Sequence, residues 1–146
     1  MKRRKFIKSC CYVGIGIPIL GGILASCESL YYAQSTVKSN KLIVPLLEFT
    51  HVQKNKTSKR KFVLVQSDKL KFPICIYHLE KEVYVSSLLQ CTHQGCELNV
   101  GGGIYSCPCH GAEFSTKGQV LSGPAENNLK TYLTTIENEN IIVHLP

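Results

Sequence analysis

The chain has 146 residues, 17 of them Lys or Arg against ten Asp or Glu, with eight Cys and no Trp. This length allows one small domain and excludes two ordinary ones. A formal charge of +7 indicates a nucleic-acid partner only where basic residues form a binding face. Here residues 1–26 contain five basic residues and no acidic one, whereas residues 27–146 contain 12 basic and ten acidic residues. We therefore expect no nucleic-acid partner.

The first 26 residues are typical of an export signal. A basic start is followed by the uncharged apolar run Cys10–Ser26, and polar residues resume after Cys27. The sequence RRKFIK at residues 3–8 resembles the twin-arginine export motif, and LASC at residues 24–27 resembles a bacterial lipobox. Because the apolar run is short and rich in glycine, it is a poor transmembrane helix. We expect cleavage, lipid attachment at Cys27 and a domain that faces the periplasm or cell exterior. The alternatives are a plain secretory signal or an uncleaved anchor.

Residues 27–40 have no periodicity and are interpreted as a tether. From Lys41 onward, short runs rich in Val, Ile, Tyr and Phe alternate with turn or charge clusters, which is typical of an all-β domain over residues 41–146. The predicted strands are Leu42–Phe49, Phe62–Gln66, Phe72–Tyr77, Val83–Leu89, Thr131–Ile136 and Ile141–Leu145. The basic stretch Lys54–Lys61 is interpreted as a solvated loop, with a docking patch for an acidic partner as the alternative.

Two Cys- and His-containing motifs lie within residues 90–124. This segment is rich in glycine, and its sequence is not typical of ordinary strands. The first is CTHQGC at residues 91–96, and the second is CPCHG at residues 107–111. A thiolate and an imidazole from each of two facing loops form a four-ligand site for a soft or borderline metal. Zinc is the obvious alternative, but common structural zinc sites pair Cys with Cys and His with His. The mixed spacing favours a binuclear iron–sulfur cluster.

The two motifs resemble the Rieske family, specifically the exported, disulfide-containing branch found in cytochrome bc-type complexes and in small subunits of some molybdenum oxidases. The resemblance implies a Rieske-type antiparallel β-sandwich with an inserted cluster-binding subdomain of two loops. It also implies one [2Fe–2S] cluster per chain. By position, the residues of the site would be Cys91 and Cys107 as ligands of the buried iron, His93 and His110 as ligands of the outer iron, and Cys96 and Cys109 as a disulfide between the loops. An exported domain lies in an oxidising compartment, which such a disulfide requires.

Three further positions are expected to tune the cluster. Ala112 and Phe114 stand where high-potential members of the family usually have Ser and Tyr, whose hydroxyls donate hydrogen bonds to sulfur. Because these bonds stabilise the reduced state, we expect a potential in the lower or middle part of a family range of roughly −150 to +300 mV. The third position is Pro124, since the segment from Gly123 to Ala125 resembles the family's proline-containing loop over the cluster.

The function that the resemblance implies is electron transfer at the outer face of a bacterial membrane. The chain would accept an electron from a quinol or a partner oxidoreductase and pass it to a cytochrome b or c, as a subunit of an oxidoreductase rather than an enzyme alone. A freestanding periplasmic electron carrier and a small subunit of a molybdenum oxidase are alternatives, and a zinc-stabilised binding module is the non-redox alternative. Outside the two motifs, His51, His78 and His144 are interpreted as surface or core histidines, and Cys75 as a buried thiol.

Overall fold

The computed structural model describes residues 30–53 and 56–146, so the predicted export signal and Cys27 lie outside the described residues. Within these ranges a short 3-10 helix, Leu46–Phe49, accompanies the strands, and no helix is long and apolar enough to cross a membrane. The strands are β1 (Thr36–Lys38), β2 (Lys41–Pro45), β3 (Thr50–Gln53), β4 (Lys56–Lys59), β5 (Phe62–Val65), β6 (Ile74–His78), β7 (Tyr84–Leu88), β8 (Asn99–Gly101), β9 (Ile104–Ser106), β10 (Glu113–Ser115), β11 (Val120–Ser122), β12 (Thr131–Tyr132), β13 (Thr134–Glu137) and β14 (Asn140–His144). The all-β prediction is confirmed.

The strands form three antiparallel sheets and a separate hairpin. An outer sheet has the order β1-β2-β14-β13, a central sheet has the order β12-β7-β6-β5, and a small sheet has the order β11-β10-β9-β8. Among the described strands, β3 and β4 pair with each other as a separate two-stranded hairpin. The small sheet lies within the predicted cluster-binding subdomain.

The central sheet is buried on both faces. Side chains of adjacent strand residues point to opposite faces, so Val63 and Ile76 pack against the outer sheet while Leu64 and Tyr77 pack toward the small sheet. This explains why β5 and β6 have continuous apolar sequences, since a strand that is covered on both sides has no solvent-facing positions. The predicted sandwich therefore carries the cluster-binding subdomain as a third layer.

Two predicted strands are interrupted in the structure. The run Leu42–Phe49 ends as a strand at Pro45 and continues as the 3-10 helix. The run Thr131–Ile136 divides at Leu133, because Thr131 and Tyr132 pair with β7 whereas the residues from Thr134 onward pair with β14. The chain thus passes from the central sheet to the outer sheet within one apolar run.

The described part of the predicted tether is packed on the domain. The backbone N–H of Leu64 donates to the Tyr31 carbonyl, and that of Ala33 donates to the Leu64 carbonyl, each at 2.8 Å. Strand β1 then pairs with β2. We call residues 31–38 the strap. The sequence predicts a domain that begins at residue 41, and the strap is hydrogen-bonded to that domain. Backbone pairing to an exposed sheet edge requires no side-chain periodicity.

Candidate metal centre

The first cluster loop follows β7 and is closed by two backbone hydrogen bonds. The N–H of Gly95 donates to the Cys91 carbonyl, and the N–H of Cys91 donates to the Cys96 carbonyl, each at 2.8 Å. Gly95 has a φ of 75°, a conformation that L side chains rarely adopt. The loop can turn this tightly only because glycine occupies that position.

The second cluster loop follows β9 and repeats the same pattern. The N–H of Gly111 donates to the Cys107 carbonyl at 3.0 Å, and the N–H of Cys107 donates to the Ala112 carbonyl at 2.8 Å. Gly111 has a φ of 76°. The two loops therefore share one backbone shape in which a glycine stands four residues after a cysteine. The C-x3-G spacing of residues 91–95 and 107–111 is the signal of this shared shape in the sequence.

The thiols of Cys91 and Cys107 are buried and interact directly. Burial raises the pKa of the Cys91 thiol, and the backbone N–H of His93 only partly opposes this increase. Burial also acts to raise the pKa of Cys107, but the backbone N–H groups of Cys109 and His110, together with the Cys91 thiol, outweigh it and lower that pKa. N–H groups that point at a sulfur stabilise a thiolate, which is the form that binds metal.

The imidazole rings of His93 and His110 lie side by side, with centroids 5.0 Å apart and planes inclined by 88°. Nδ1 of His93 is buried and has no hydrogen-bond partner among the described residues. A buried polar atom without a partner is costly and needs an explanation, and bonding to a metal supplies one. His110 is exposed. The residues present therefore fit a metal group bound by two thiolates and two imidazoles.

Cys96 and Cys109 form a disulfide, as predicted. It connects the two cluster loops, and both of its sulfurs lie within 4.8 Å of the Cys107 sulfur. Since both sulfurs are already bonded to each other, they are not available as thiolate ligands. Among the described residues, the free cysteines are Cys75, Cys91 and Cys107. Cys75 lies on β6 inside the central sheet, where burial raises its pKa to about 12, so the two loop thiols are the candidate ligands.

The three predicted tuning positions occupy different environments. Ala112 and Phe114 are fully buried, whereas Pro124 is exposed and follows a cis peptide bond from Gly123. The Thr92 hydroxyl donates a 2.6 Å hydrogen bond to the Asn127 carbonyl. This contact connects the first cluster loop to the segment that follows Pro124, and sequence reasoning missed it because the two residues are 35 positions apart.

The remaining histidines have partners away from the cluster loops. The imidazoles of His51, His78 and His144 contact the Arg60 guanidinium, the Lys81 carbonyl and the Thr135 hydroxyl, respectively. None of these partners lies in the two loops. The structure thus places the thiol of Cys91 beside that of Cys107, and the ring of His93 beside that of His110. The other described histidines lie outside the two loops.

Comparison with known proteins agrees with this geometry. The Rieske [2Fe-2S] domain family matches residues 44–133. The chain is 40% identical over 53 residues to the cytochrome b6-f complex iron-sulfur subunit of Synechococcus sp. (strain JA-2-3B'a(2-13)), a match that covers 35% of this chain and 31% of that protein. It is 44% identical over 55 residues to the subunit of the same name from Chlorobaculum thiosulfatiphilum, covering 36% of this chain and 30% of that protein. The chain thus spans about a third of the length of these relatives.

A solved structure extends the similarity to the fold. The crystal structure of the cyanobacterial plasma membrane Rieske protein PetC3 from Synechocystis PCC 6803 is 35% identical to this chain and superposes with a TM-score of 0.51. The match covers 57% of this chain and 85% of the PetC3 chain. Most of that protein therefore has a counterpart here.

Proposed function

Because the chain belongs to the Rieske [2Fe-2S] domain family and carries its one [2Fe–2S] cluster, we propose that it transfers electrons as the iron–sulfur subunit of a cytochrome bc-type complex. The observation that carries the proposal is Nδ1 of His93, which is buried and has no hydrogen-bond partner among the described residues, in a ring that lies beside that of His110. The free thiols of Cys91 and Cys107 on the same two loops are also buried. When bound, the cluster supplies reversible uptake and release of one electron. The named relatives, which are subunits of a cytochrome complex, favour this function over a freestanding carrier.

The residue roles follow from burial. Cys91 and Cys107 are buried and would hold the inner iron as thiolates, supported by the backbone N–H groups that point at their sulfurs. His93 and His110 would hold the outer iron. Since the His110 ring is exposed, its edge offers the contact surface for a redox partner, while the buried walls of the loops exclude water from the thiolates.

The electron donor and acceptor are part of the proposal. A quinol or a partner oxidoreductase would supply the electron, and a cytochrome would accept it. Ala112 and Phe114 provide no hydroxyl near the cluster, which supports a potential in the lower or middle part of the family range and therefore a low-potential donor such as menaquinol.

The membrane location is also proposed. The chain would be exported by the signal in residues 1–26 and held at the outer face of the membrane through Cys27 or through the apolar run itself. The order of basic, apolar and LASC segments supports this location. The disulfide between Cys96 and Cys109 is a second, independent support, because disulfides persist in oxidising compartments outside the cytoplasm.

Iron analysis and electron paramagnetic resonance of the purified chain test the function. We expect two irons per chain and, after reduction, the rhombic spectrum of a cluster with Cys and His ligands. His93→Ala and His110→Ala should each lose the iron, because each removes one ligand. His144→Ala is the matched control, since His144 contacts Thr135 away from the loops, and it should keep both irons. Zinc without iron in the wild-type protein would contradict the proposal.

A further inference from the structure

A cleft of about 410 Å³ lies beside the first cluster loop. Residues 90–95 of that loop line one part of it, and Asn127 and Lys130 line another. The Thr92 hydroxyl donates to the Asn127 carbonyl and so joins the two parts. Leu88 completes the lining, and its N–H donates to the Lys130 carbonyl at 2.9 Å. Hydrogen bonds therefore fix the walls relative to each other. We call this cavity the side cleft (residues 88, 90–95, 127 and 130).

The side cleft carries a positive charge and no negative one. Within the described part of the chain no Asp or Glu lines it, since Glu97 and Glu126 are close in sequence but lie outside the lining. Lys130 Nζ lies 5.4 Å from the centroid of the Tyr132 ring and has no carboxylate partner among the described residues. Apart from the candidate ligands, the other polar side chains of the lining are amides and a hydroxyl, those of Gln90, Thr92, Gln94 and Asn127.

These groups select a ligand by charge and by hydrogen bonding. An ammonium and the N–H groups of amides are donors, and hydrogen bonds between a charged donor and a carboxylate are stronger than those between neutral groups. One ammonium balances one unit of negative charge, which is the charge of a carboxylate at neutral pH. Lys130 would repel a cation, and a neutral ligand would gain nothing from its charge. The lining therefore suits a carboxylate.

The side cleft adjoins the candidate metal centre. His93 is part of its lining, and the His93 ring lies 5.0 Å from the ring of His110, which is exposed. A carboxylate in the cleft would thus lie close to the proposed ligands of the outer iron. Because the reduced cluster holds one more electron than the oxidised cluster, a negative charge beside it opposes reduction.

We propose that the side cleft binds a carboxylate and that the bound carboxylate favours the oxidised cluster. The binding is independent of electron transfer, whereas the effect on the potential rests on the function proposed above. Two sources share this chemistry, a small free carboxylate and an Asp or Glu side chain of a redox partner that contacts His110. A partner that inserts such a side chain lowers the reduction potential when it docks, and it therefore favours release of the electron from the cluster.

The binding is measured on the oxidised, iron-loaded full chain in neutral detergent, while acetate replaces chloride at constant ionic strength. Acylation of lysines, followed by mass spectrometry, reports how accessible each ammonium is. We expect acylation of Lys130 to fall by about threefold or more, because a bound carboxylate pairs with its ammonium. Acylation of Lys41, an exposed lysine on β2, should not change. Acetamide, which has the shape of acetate without its charge, should protect neither lysine.

Redox titrations followed by electron paramagnetic resonance measure the effect on the cluster. If the reduced protein binds acetate about threefold more weakly than the oxidised protein, saturating acetate lowers the potential by about 28 mV, since a tenfold ratio corresponds to 59 mV for one electron. We expect a fall of this order in the wild-type protein and in Lys41→Gln, the matched control. Lys130→Gln removes the ammonium, and Gln90→Glu places a carboxylate in the cleft, so neither should respond to acetate. The visible spectrum of the cluster verifies folding of the three variants.

N-acetylglutamate α-amide distinguishes the two sources, because it presents its carboxylate on a side chain as a protein does. Protection of Lys130 by this compound as well as by acetate would assign the cleft to the side chain of a partner. Protection by acetate alone would assign it to a small carboxylate.

The remaining outcomes separate the cleft from the proposed function. Equal acylation of Lys130 in acetate and in chloride would overturn the proposal, and so would an equal response of the potential to acetate in the wild-type protein and in Lys130→Gln. Protection of Lys130 without any fall in the potential would overturn the effect on the cluster alone. Zinc in place of iron, with Lys130 still protected by acetate, would overturn the proposed function and leave the carboxylate binding.

Discussion

At the scale of single residues, the site depends on where the backbone N–H groups point. In each cluster loop, a glycine with positive φ lets the chain turn back, so that the N–H groups two and three residues after the cysteine face its sulfur. This arrangement stabilises negative charge on Cys91 and Cys107 without adding any charged side chain. In the function that we propose, His93 and His110 supply the two imidazole ligands beside these thiolates.

Ala112 and Phe114 have no hydroxyl and therefore donate no side-chain hydrogen bond to the sulfurs. The double variant Ala112→Ser/Phe114→Tyr adds two hydroxyls at fully buried positions, and we expect the reduction potential to rise. A hydrogen bond that favours the reduced state by about 1.4 kcal/mol raises a one-electron potential by about 59 mV. A redox titration followed by electron paramagnetic resonance measures the change. Phe72→Tyr is the control, because Phe72 packs against the core between the outer and central sheets. This variant should leave the reduction potential unchanged. An unchanged or lower potential in the double variant would contradict the prediction.

At the scale of elements, the strap shows how a segment without periodicity becomes part of a fold. It contributes backbone hydrogen bonds to β5 and β2, while one side chain, Tyr31, fixes its start through Glu48 and Arg60. The hydrogen bond to Glu48 raises the pKa of the Tyr31 hydroxyl, so this hydroxyl stays protonated and remains a donor over the whole neutral range.

Removing that donor should loosen the strap locally. Tyr31→Phe deletes a hydrogen bond to a carboxylate worth about 1 kcal/mol. We expect the amides of Ala33 and Leu64, which carry the strap's bonds to β5, to exchange their hydrogens about fivefold faster. Hydrogen exchange followed by mass spectrometry or NMR measures the rates. Tyr32→Phe, at an exposed neighbour, should leave them unchanged. If both variants accelerate exchange equally, the Tyr31–Glu48 contact does not hold the strap.

At the scale of the whole molecule, the two sides of the central sheet have different sources of stability. One core, between the outer and central sheets, groups apolar side chains with Tyr132, whereas the other includes the thiols of Cys91 and Cys107. A ligand that binds only the folded state stabilises it. We therefore expect the cluster to stabilise the loop side directly and the outer sheet much less.

Removal of the iron by a chelator tests this division. We expect the amides of residues 91–96, 107 and 109–111 to exchange about tenfold faster or more in the apo protein, while those of Val63 and Ile76 keep their protection. Reducing the disulfide between Cys96 and Cys109 in the apo protein should accelerate the loop amides further, because the connection between the loops is then lost. The same protocol on the iron-loaded protein without chelator is the control. A uniform loss of protection across the central sheet would show that the layers unfold together.

The sequence by itself determined the chemistry of this protein. Cysteine and histidine at C-x-H and C-x-x-H spacing predicted the two ligand loops, because the spacing of ligands within a tight loop is a local property, and the resemblance to the Rieske family implied the disulfide between Cys96 and Cys109. The alternation of short apolar runs with turns predicted an all-β domain and most strand positions for the same reason, since side-chain periodicity along a strand is local.

The tertiary structure decided which surfaces meet. Whether Leu133 continues a strand or marks a change of sheet depends on partners 48 positions away in sequence, as the contact between Thr134 and Ser86 shows. The strap, the contact of Thr92 with the Asn127 carbonyl and the position of Arg60 over the Tyr31 ring also join residues far apart in the chain. Such contacts follow from the packing of the outer sheet and the small sheet on the two faces of the central sheet, and no local pattern of residues encodes them.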